Sequence, residues 1–264
     1  MRALRSFNKK YSWVFATLLI VLFLVVWHLY VVLFDVSKLV LPNPLQVGQA
    51  LLDLLREPST WSHGWTTLSE ILLGFGIALV VGVGLGVLLA KLPTLENLLN
   101  PFIVATQVTP KTPLVPLLIV WFGFGVSSKV VIAAIFGFFP VFRNTLLGIK
   151  SVPGSFKDVM SVFKANRWQR FFLMEMRYAA PYIFAGTEVG VVMAVIGAIV
   201  GEFLAGDHGW GYLTVAMLNN FQIPQLFAVI ILLTALGFAM HIVVAVLRRF
   251  MVRWHESAAI GSAE

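Results

Sequence analysis

No cysteine occurs among the 264 residues, so disulfides, thiolate nucleophiles and cysteine-ligated metals are excluded. Charge is nearly as scarce. Asp, Glu, Lys and Arg together make up 12% of the chain, against about 25% in an ordinary soluble domain. The phosphate-cradling pattern G-x-x-x-x-G-K-[ST] is missing, and the glycines of GFGVSSK (123–129) stand at the wrong spacing before Lys129. Neither H-E-x-x-H nor G-x-S-x-G is present. The histidines at 28, 63, 208, 241 and 255 are scattered, none with a second histidine three or four residues on. Nucleotide hydrolysis on this chain, metal-assisted hydrolysis and acyl transfer through a nucleophile elbow therefore have no residues to carry them, and neither metal nor cofactor is expected.

What the chain has is apolar length. It is 59% hydrophobic, with a mean hydropathy of +0.90. Runs of about 20 apolar residues read as membrane spans. Six are expected, at about 12–34, 66–90, 98–122, 129–147, 179–203 and 226–248. The first is too long for the apolar core of a signal peptide and lacks a small-residue cleavage site after it, so an uncleaved helix is expected. The third is interrupted by Pro110, Pro113 and Pro116. No soluble domain, long linker or repeat is visible, so the whole chain reads as one membrane domain of the all-α class.

The net charge is +7. In a nucleic-acid binder that excess would form a phosphate-facing patch. Here it lies between spans, and no nucleic-acid partner is expected. Of 19 Lys and Arg, 15 fall at the N-terminus, at Lys91, between Arg143 and Arg177, and at Arg248, Arg249 and Arg253. The alternate loops hold Lys38, Arg56 and Lys129, and Lys111 lies within the third span. The positive-inside rule then puts both termini in the cytoplasm of a plasma (bacterial inner) membrane. The outer loop at 35–64 contains LPNPLQVGQALLDLLREP, which reads as an interfacial helix opened by Pro44, with Leu45, Leu51, Leu52 and Leu55 near one face.

The most informative stretch is Ser151 to Pro181. It sets Lys157, Lys164, Arg167, Arg170 and Arg177 between two spans. Asp158 to Phe172 reads as one short amphipathic helix. Such a helix either lies on anionic headgroups or seats in a groove of a cytoplasmic partner.

Within the spans, Gly186, Gly190, Gly197 and Gly201 form two small-xxx-small pairs for close helix packing, inside the subunit or across a dimer. Glu188 and Glu202 are 14 residues apart, near four turns, and so share a face. Glu202 is expected near the outer surface. Glu188, deeper, is open to two readings: a pore role, or a structural partner such as Lys111 or a threonine. Lys111 sits in the proline-broken TPKTPLVP, and irregular backbone at membrane depth lines protein or a water-filled cavity. Lys111 is thus either a pathway residue or a snorkelling or paired lysine. Trp121, Phe122, Phe124, Phe136, Phe138, Phe139 and Phe142 crowd the neighbouring segments as packing residues or stacking surfaces.

With these residues in view, the chain from about Leu41 onward resembles the permease subunit of a binding-protein-dependent ABC importer with the type I (MetI-like) fold. The family's cytoplasmic loop follows an acid, two alanines and, after three intervening residues, a glycine. Asp158, Val159 and Met160 occupy the acid and alanine positions, Lys164 stands where the glycine would be, and Ala180-Pro181 matches the family's Leu-Pro. LPNP (41–44), TPKTPLVPLLIVWFGFG (109–125) and FFPVFRNTLLG (138–148) resemble the taurine, nitrate and sulfonate branch. PYIFAGTEVGVVMAVIGAIVGEF and GWGYL resemble permeases for thiamine-precursor pyrimidines and riboflavin-like compounds, with Glu188 where those relatives have a basic residue.

The resemblance implies alternating access by two permease copies. Two cytoplasmic ATPases would bind ATP and Mg, and an extracytoplasmic binding protein would deliver solute at the face bearing Asp207 and His208. It implies coupling through Asp158, Phe163, Lys164, Ala165, Asn166, Arg167 and Trp168. Pathway candidates are Lys111, Thr109, Thr112, Glu188, Glu202 and Phe139. The solute implied is a small pyrimidine- or riboflavin-like heterocycle, with taurine, sulfonate or nitrate as the alternative. Alternatives of other classes are an ion-coupled secondary transporter and a non-transport membrane scaffold or enzyme.

Overall fold

A backbone surrounded by hydrocarbon must satisfy its polar groups internally, and the chain does so as helix. The computed structural model describes residues 2–252, with side chains from residue 14 onward, and no strand occurs among them. Arg253 and His255 lie outside the described residues.

The helices are α1 (Arg2–Leu33), α2 (Pro44–Arg56), α3 (Pro58–Lys91), α4 (Pro93–Val108), α5 (Val115–Phe122), α6 (Val126–Lys150), α7 (Gly154–Val162), α8 (Arg167–Gln169), α9 (Met176–Ala205), α10 (Trp210–Asn219) and α11 (Ile223–Met251). Five of them, α8 and α9 counted as one continuous rod, are long and apolar enough to cross a membrane. The pair α4 and α5 makes a sixth span if counted as one, bent by 88° around a 3-10 turn at Thr112–Leu114. Pro110, Pro113 and Pro116 explain the bend, because each removes a backbone donor and restricts the residue before it.

The core is a trio. α6 lies between α3 and α9, and glycines let the three backbones close up. A Cβ at Gly186 would come within 2.7 Å of Pro140 O, and one at Gly197 within 3.0 Å of Ile132 O. Gly190 and Gly201 face Val141 and Lys129 of the same helix. The glycine stripe of α9 therefore packs inside the subunit. A second stripe was not anticipated from sequence. Gly74, Ala78, Gly82 and Gly86 of α3 recur every fourth residue, and its three glycines press on Ala133, Val141 and Thr145 of α6, the first two of which also face the α9 glycines.

α2 starts as expected. Pro44 is its first residue, Asn43 Oδ1 accepts from Leu45 N–H at 3.0 Å, and Gln46 Oε1 accepts from Asn43 N–H at 3.1 Å. The face it buries differs from the one expected. Ala50 and Leu54 pack against Ala228, Val229, Leu232 and Trp210, Val47 is buried on the same stripe, and Leu45 and Leu52 point outward. Spacings of three and four residues pick out this second stripe equally well, and contact with α11 decides between them. α1 stands at the periphery, tied in by the Trp27–Phe227 rings at 5.9 Å and by His28 Nδ1 to Asn43 Oδ1 at 3.0 Å.

Candidate coupling segment and translocation residues

The basic segment between α6 and α9 is not the single helix 158–172 that its periodicity suggests. α7 stops at Val162, and Lys164 takes the left-handed conformation with φ 50°. Lys164 N–H donates to Ser161 O at 2.9 Å, and Ala165 N–H donates to Met160 O at 3.0 Å. These are the paired bonds of a Schellman turn. An L-residue with a Cβ pays roughly 1–2 kcal/mol in that conformation, which is the physical reason a glycine suits this position.

Asn166 then caps a new start. Its Oδ1 accepts from Gln169 N–H at 2.8 Å, and Gln169 Oε1 accepts from Asn166 N–H at 2.8 Å. This reciprocal box restarts the helix. A π-helical turn, Arg170–Glu175, leads into α9 and turns Met174 and Glu175 inward. Glu175 pairs with Lys91 at the end of α3, and Lys150 pairs with Glu96 of α4 at 2.8 Å.

No residue of α7 is buried. Val162 is 80% exposed and Phe163 78%, with Trp168 and Phe172 also outward. Asp158, Asn166 and Arg167 are exposed, and Ala165 is half-buried. Between α7 and the start of α9 runs a groove of about 630 Å³, lined by Phe156, Val159, Met160, Leu173, Met174, Arg177 and Tyr178.

The opposite end of the trio is polar inside. Glu202, three residues from the end of α9, is 1% exposed. Its Oε1 accepts from Thr67 Oγ1 at 2.7 Å and its Oε2 from Gly211 N–H at 2.6 Å. Thr67 Oγ1 in turn accepts from Trp210 N–H at 2.8 Å, and His63 Nδ1 accepts from Gly209 N–H at 3.0 Å. Three unpaired N–H groups at the start of α10 are thus met by α3 and α9, and a carboxylate there also suits the helix dipole.

This geometry explains GWGYL. Gly209 has φ 104°, open only to glycine at low cost. A Cβ at Gly211 would lie 2.6 Å from the Glu202 carboxylate. Trp210 closes over Gly64 and donates its indole N–H to Thr60 O at 2.7 Å. Outside this cluster, Asp207 and His208 are exposed and 3.3 Å apart. The hydrogen bond from His208 holds the Asp207 carboxyl below its usual range.

Lys129 differs from its expected place in the outer loops: it lies in α6 and is 2% exposed. Its Nζ donates to Phe124 O and to Ala205 O, the latter at 2.8 Å. Glu70 of α3 is buried beside Glu202 and within electrostatic reach of Lys129. Sequence reading passed over Glu70, although a lone carboxylate in an apolar span is itself a signal.

Of the translocation candidates, the fold joins two. Lys111 Nζ lies 5.2 Å from the Phe139 ring centroid, a cation–π contact across the bent span. Thr109 and Thr112 flank Lys111 and are exposed. Glu188 and Glu202 go elsewhere. Glu188 pairs with Arg248 of α11 at 3.1 Å rather than with Lys111 or a threonine. The two acids meet different neighbours despite their spacing.

The sequence that builds this glycine-packed trio, broken third span and exposed segment between α6 and α9 matches a known family. The family described as binding-protein-dependent transport system inner membrane component matches residues 82–253. The chain belongs to this family. As an ABC importer permease it is a multi-pass inner-membrane component of a transport system, which sets aside the ion-coupled carrier and the scaffold.

The permease is 35% identical to a riboflavin transport system permease protein of Chloroflexus aurantiacus, over 90% of this chain and 89% of the relative. It is 29% identical to a formylaminopyrimidine transport permease protein of Halalkalibacterium halodurans, over 94% and 99%. It is 26% identical to a taurine transport system permease protein of Escherichia coli, over 88% and 86%.

Proposed function

We propose that this permease forms the solute pathway of an importer whose two cytoplasmic ATPases dock on α7 and the turn that follows it. The observation that carries this reading is the outward apolar tip, Val162 and Phe163, with Trp168 beyond the Asn166 cap. Large apolar and aromatic side chains held outward by a capped turn are the anchors that protein interfaces use. Asp158, Lys164, Ala165 and Arg167 supply the surrounding rim. ATP and Mg belong to the ATPases, and this chain carries no cofactor of its own. Moving Lys129 out of the loop set leaves only Lys38 and Arg56 on the outer side, which strengthens the charge asymmetry in favour of cytoplasmic termini.

Two copies of the chain enclose the pathway, and a binding protein delivers solute at the end bearing Asp207 and His208. Lys111 over Phe139, with Thr109 and Thr112, offers a cation and a ring face to the solute. That pairing suits a small heterocycle of the riboflavin or pyrimidine kind. Its cation alone would suit an anion such as taurine, a sulfonate or nitrate, which is the second reading.

The docking test is co-purification of the cognate ATPase with tagged permease. Phe163→Asp with Trp168→Ala is expected to abolish it while membrane insertion is kept. An unchanged complex would sink the docking claim. The pathway test is uptake in proteoliposomes, where Lys111→Met is expected to lower transport and leave ATPase co-purification intact.

A further inference from the structure

The basic residues within the expected spans are Lys111, Lys129, Arg143 and Arg248. Three of them are met inside the chain. Lys129 donates to two carbonyls, Arg248 pairs with Glu188, and Lys111 stands over the Phe139 ring. Arg143 is exposed and has no ion-pair partner among the described residues. A charge within a span is costly unless it meets a counter-charge or water.

A second copy of the chain has no such counter-charge to give. The acids within the spans are Glu70, Glu188 and Glu202. Glu70 and Glu202 are each 1% exposed, and Glu188 is taken by Arg248. Lipid headgroups are poorly placed as well. Arg143 lies seven residues before the end of α6 at Lys150, about 10 Å along the axis. Helical side chains lean toward the N-terminus of their helix. Arg143 therefore leans toward Phe139 and away from that end.

The face it occupies is the one that the trio leaves free. Gly137 and Val141 of α6 meet both α3 and α9. Phe139 and Arg143 each follow one of them by two positions, about 200° around the helix, and so look away from both neighbours. Four residues apart, they are neighbours on that face, with Cβ atoms about 5–6 Å from each other.

On the reading of Lys111 and Phe139 as pathway residues, we propose that Arg143 is the second anion-holding residue of the pathway and that the solute carries a carboxylate or sulfonate group. Lys111 acts as a point charge. The Arg143 guanidinium adds a planar fork that matches two oxygens of such a group. The anion passes from one cation to the other along the Phe139 face. An acidic heterocycle and a small alkyl sulfonate share this chemistry, and the ring face favours the heterocycle.

The test exploits the absence of cysteine. Phe139→Cys puts a single thiol near the middle of α6, between the two cations. The permease with its ATPases, in phosphatidylcholine nanodiscs, is treated with the anionic sulfonatoethyl or the cationic trimethylammonioethyl methanethiosulfonate. The ratio of the two labelling rates reads the local charge. Arg143→Gln should lower the anionic-to-cationic ratio about fivefold, as removal of one charge roughly 8 Å away in water predicts. Arg143→Lys should keep the ratio. Leu147→Cys, an exposed position one turn beyond Arg143, repeats the measurement with the Phe139 ring intact. At constant ionic strength, methanesulfonate and benzenesulfonate should slow labelling, and less so in Arg143→Gln. Stronger protection by benzenesulfonate marks the ring-bearing class, and equal protection marks the alkyl class. Neutral benzamide should not protect.

A ratio unmoved by Arg143→Gln at both cysteines overturns the proposal. Protection by benzamide equal to that by the sulfonates, or by none of the three, also overturns it. Lys111→Met separates this from failure of the pathway reading. If Lys111→Met lowers the ratio at Phe139→Cys and Arg143→Gln does not, the pathway stands and Arg143 is no part of it. If neither does, or the Phe139→Cys thiol is not labelled, the pathway reading falls as well.

Discussion

The two ends of the α3–α6–α9 trio invert each other. At the α10 end, carboxylates, a lysine and a threonine are sealed inside, while at the α7 end valine, phenylalanine and tryptophan stand outside. The polar end is closed. Thr67, Glu202 and Lys129 find partners within the same chain. The apolar end is open, because its large side chains touch little of their own chain. Burial of polar groups that find partners marks a structural joint, and Glu70 Oε2 is the buried oxygen here left without one. Exposure of apolar groups on a rigid turn marks a surface completed by something else.

Four substitutions would sharpen or break this contrast. Glu202→Ala should have the largest effect. It strands Gly211 N–H in a dry site, at about 1–3 kcal/mol, and takes the shorter of two acceptors from the Thr67 hydroxyl, leaving His63 O at 3.3 Å, so a loss of about 3 kcal/mol is expected. Thermal unfolding of the purified permease measures it, and an unmoved midpoint would refute the joint. Thr67→Val removes the acceptor for Trp210 N–H and should cost about 2 kcal/mol in the same assay.

At the other end, Lys164→Gly relieves the left-handed backbone, about 1–2 kcal/mol, but adds unfolded-state entropy. A net gain of about 0.5 kcal/mol is expected, seen as slower amide exchange across the Schellman turn. Faster exchange there would mean that the lysine side chain is needed. Val162→Ser should change stability by less than about 0.5 kcal/mol, as surface substitutions do, and weaken ATPase association. A loss of stability as large as that of Thr67→Val would show that Val162 packs within its own chain and would remove the contrast.

Much of this was legible in one sequence. Apolar runs of membrane length gave the spans, and the prolines of TPKTPLVP located the 88° bend. The glycines at 186, 190, 197 and 201 announced close packing. What escaped was what other helices decide. Glu202 looked cheap to bury near a helix end, yet its donors come from Thr67, 135 residues away, and from Gly211 in the first turn of α10. Lys129 opens a helix and looked like a loop residue, but carbonyls at Phe124 and Ala205 take it inward. The break at Lys164 carries no glycine or proline to mark it. Its cause is Asn166, whose capping box competes with helix continuation. The face of α2 could not be settled before α11 was in place.

The backbone contacts along α6 also have a mechanical meaning. Helices held apart by long side chains can slide as rotamers change, whereas backbones in touch through glycine have almost no slack. α9 alone has 30 residues, about 45 Å at 1.5 Å per residue. A rod of that length, clamped along one flank and followed back to the exposed α7 tip through a single π-helical turn, is built to move as one piece with α6. Any tilt at its foot would have to carry α6, and α10 packed at its far end, along with it.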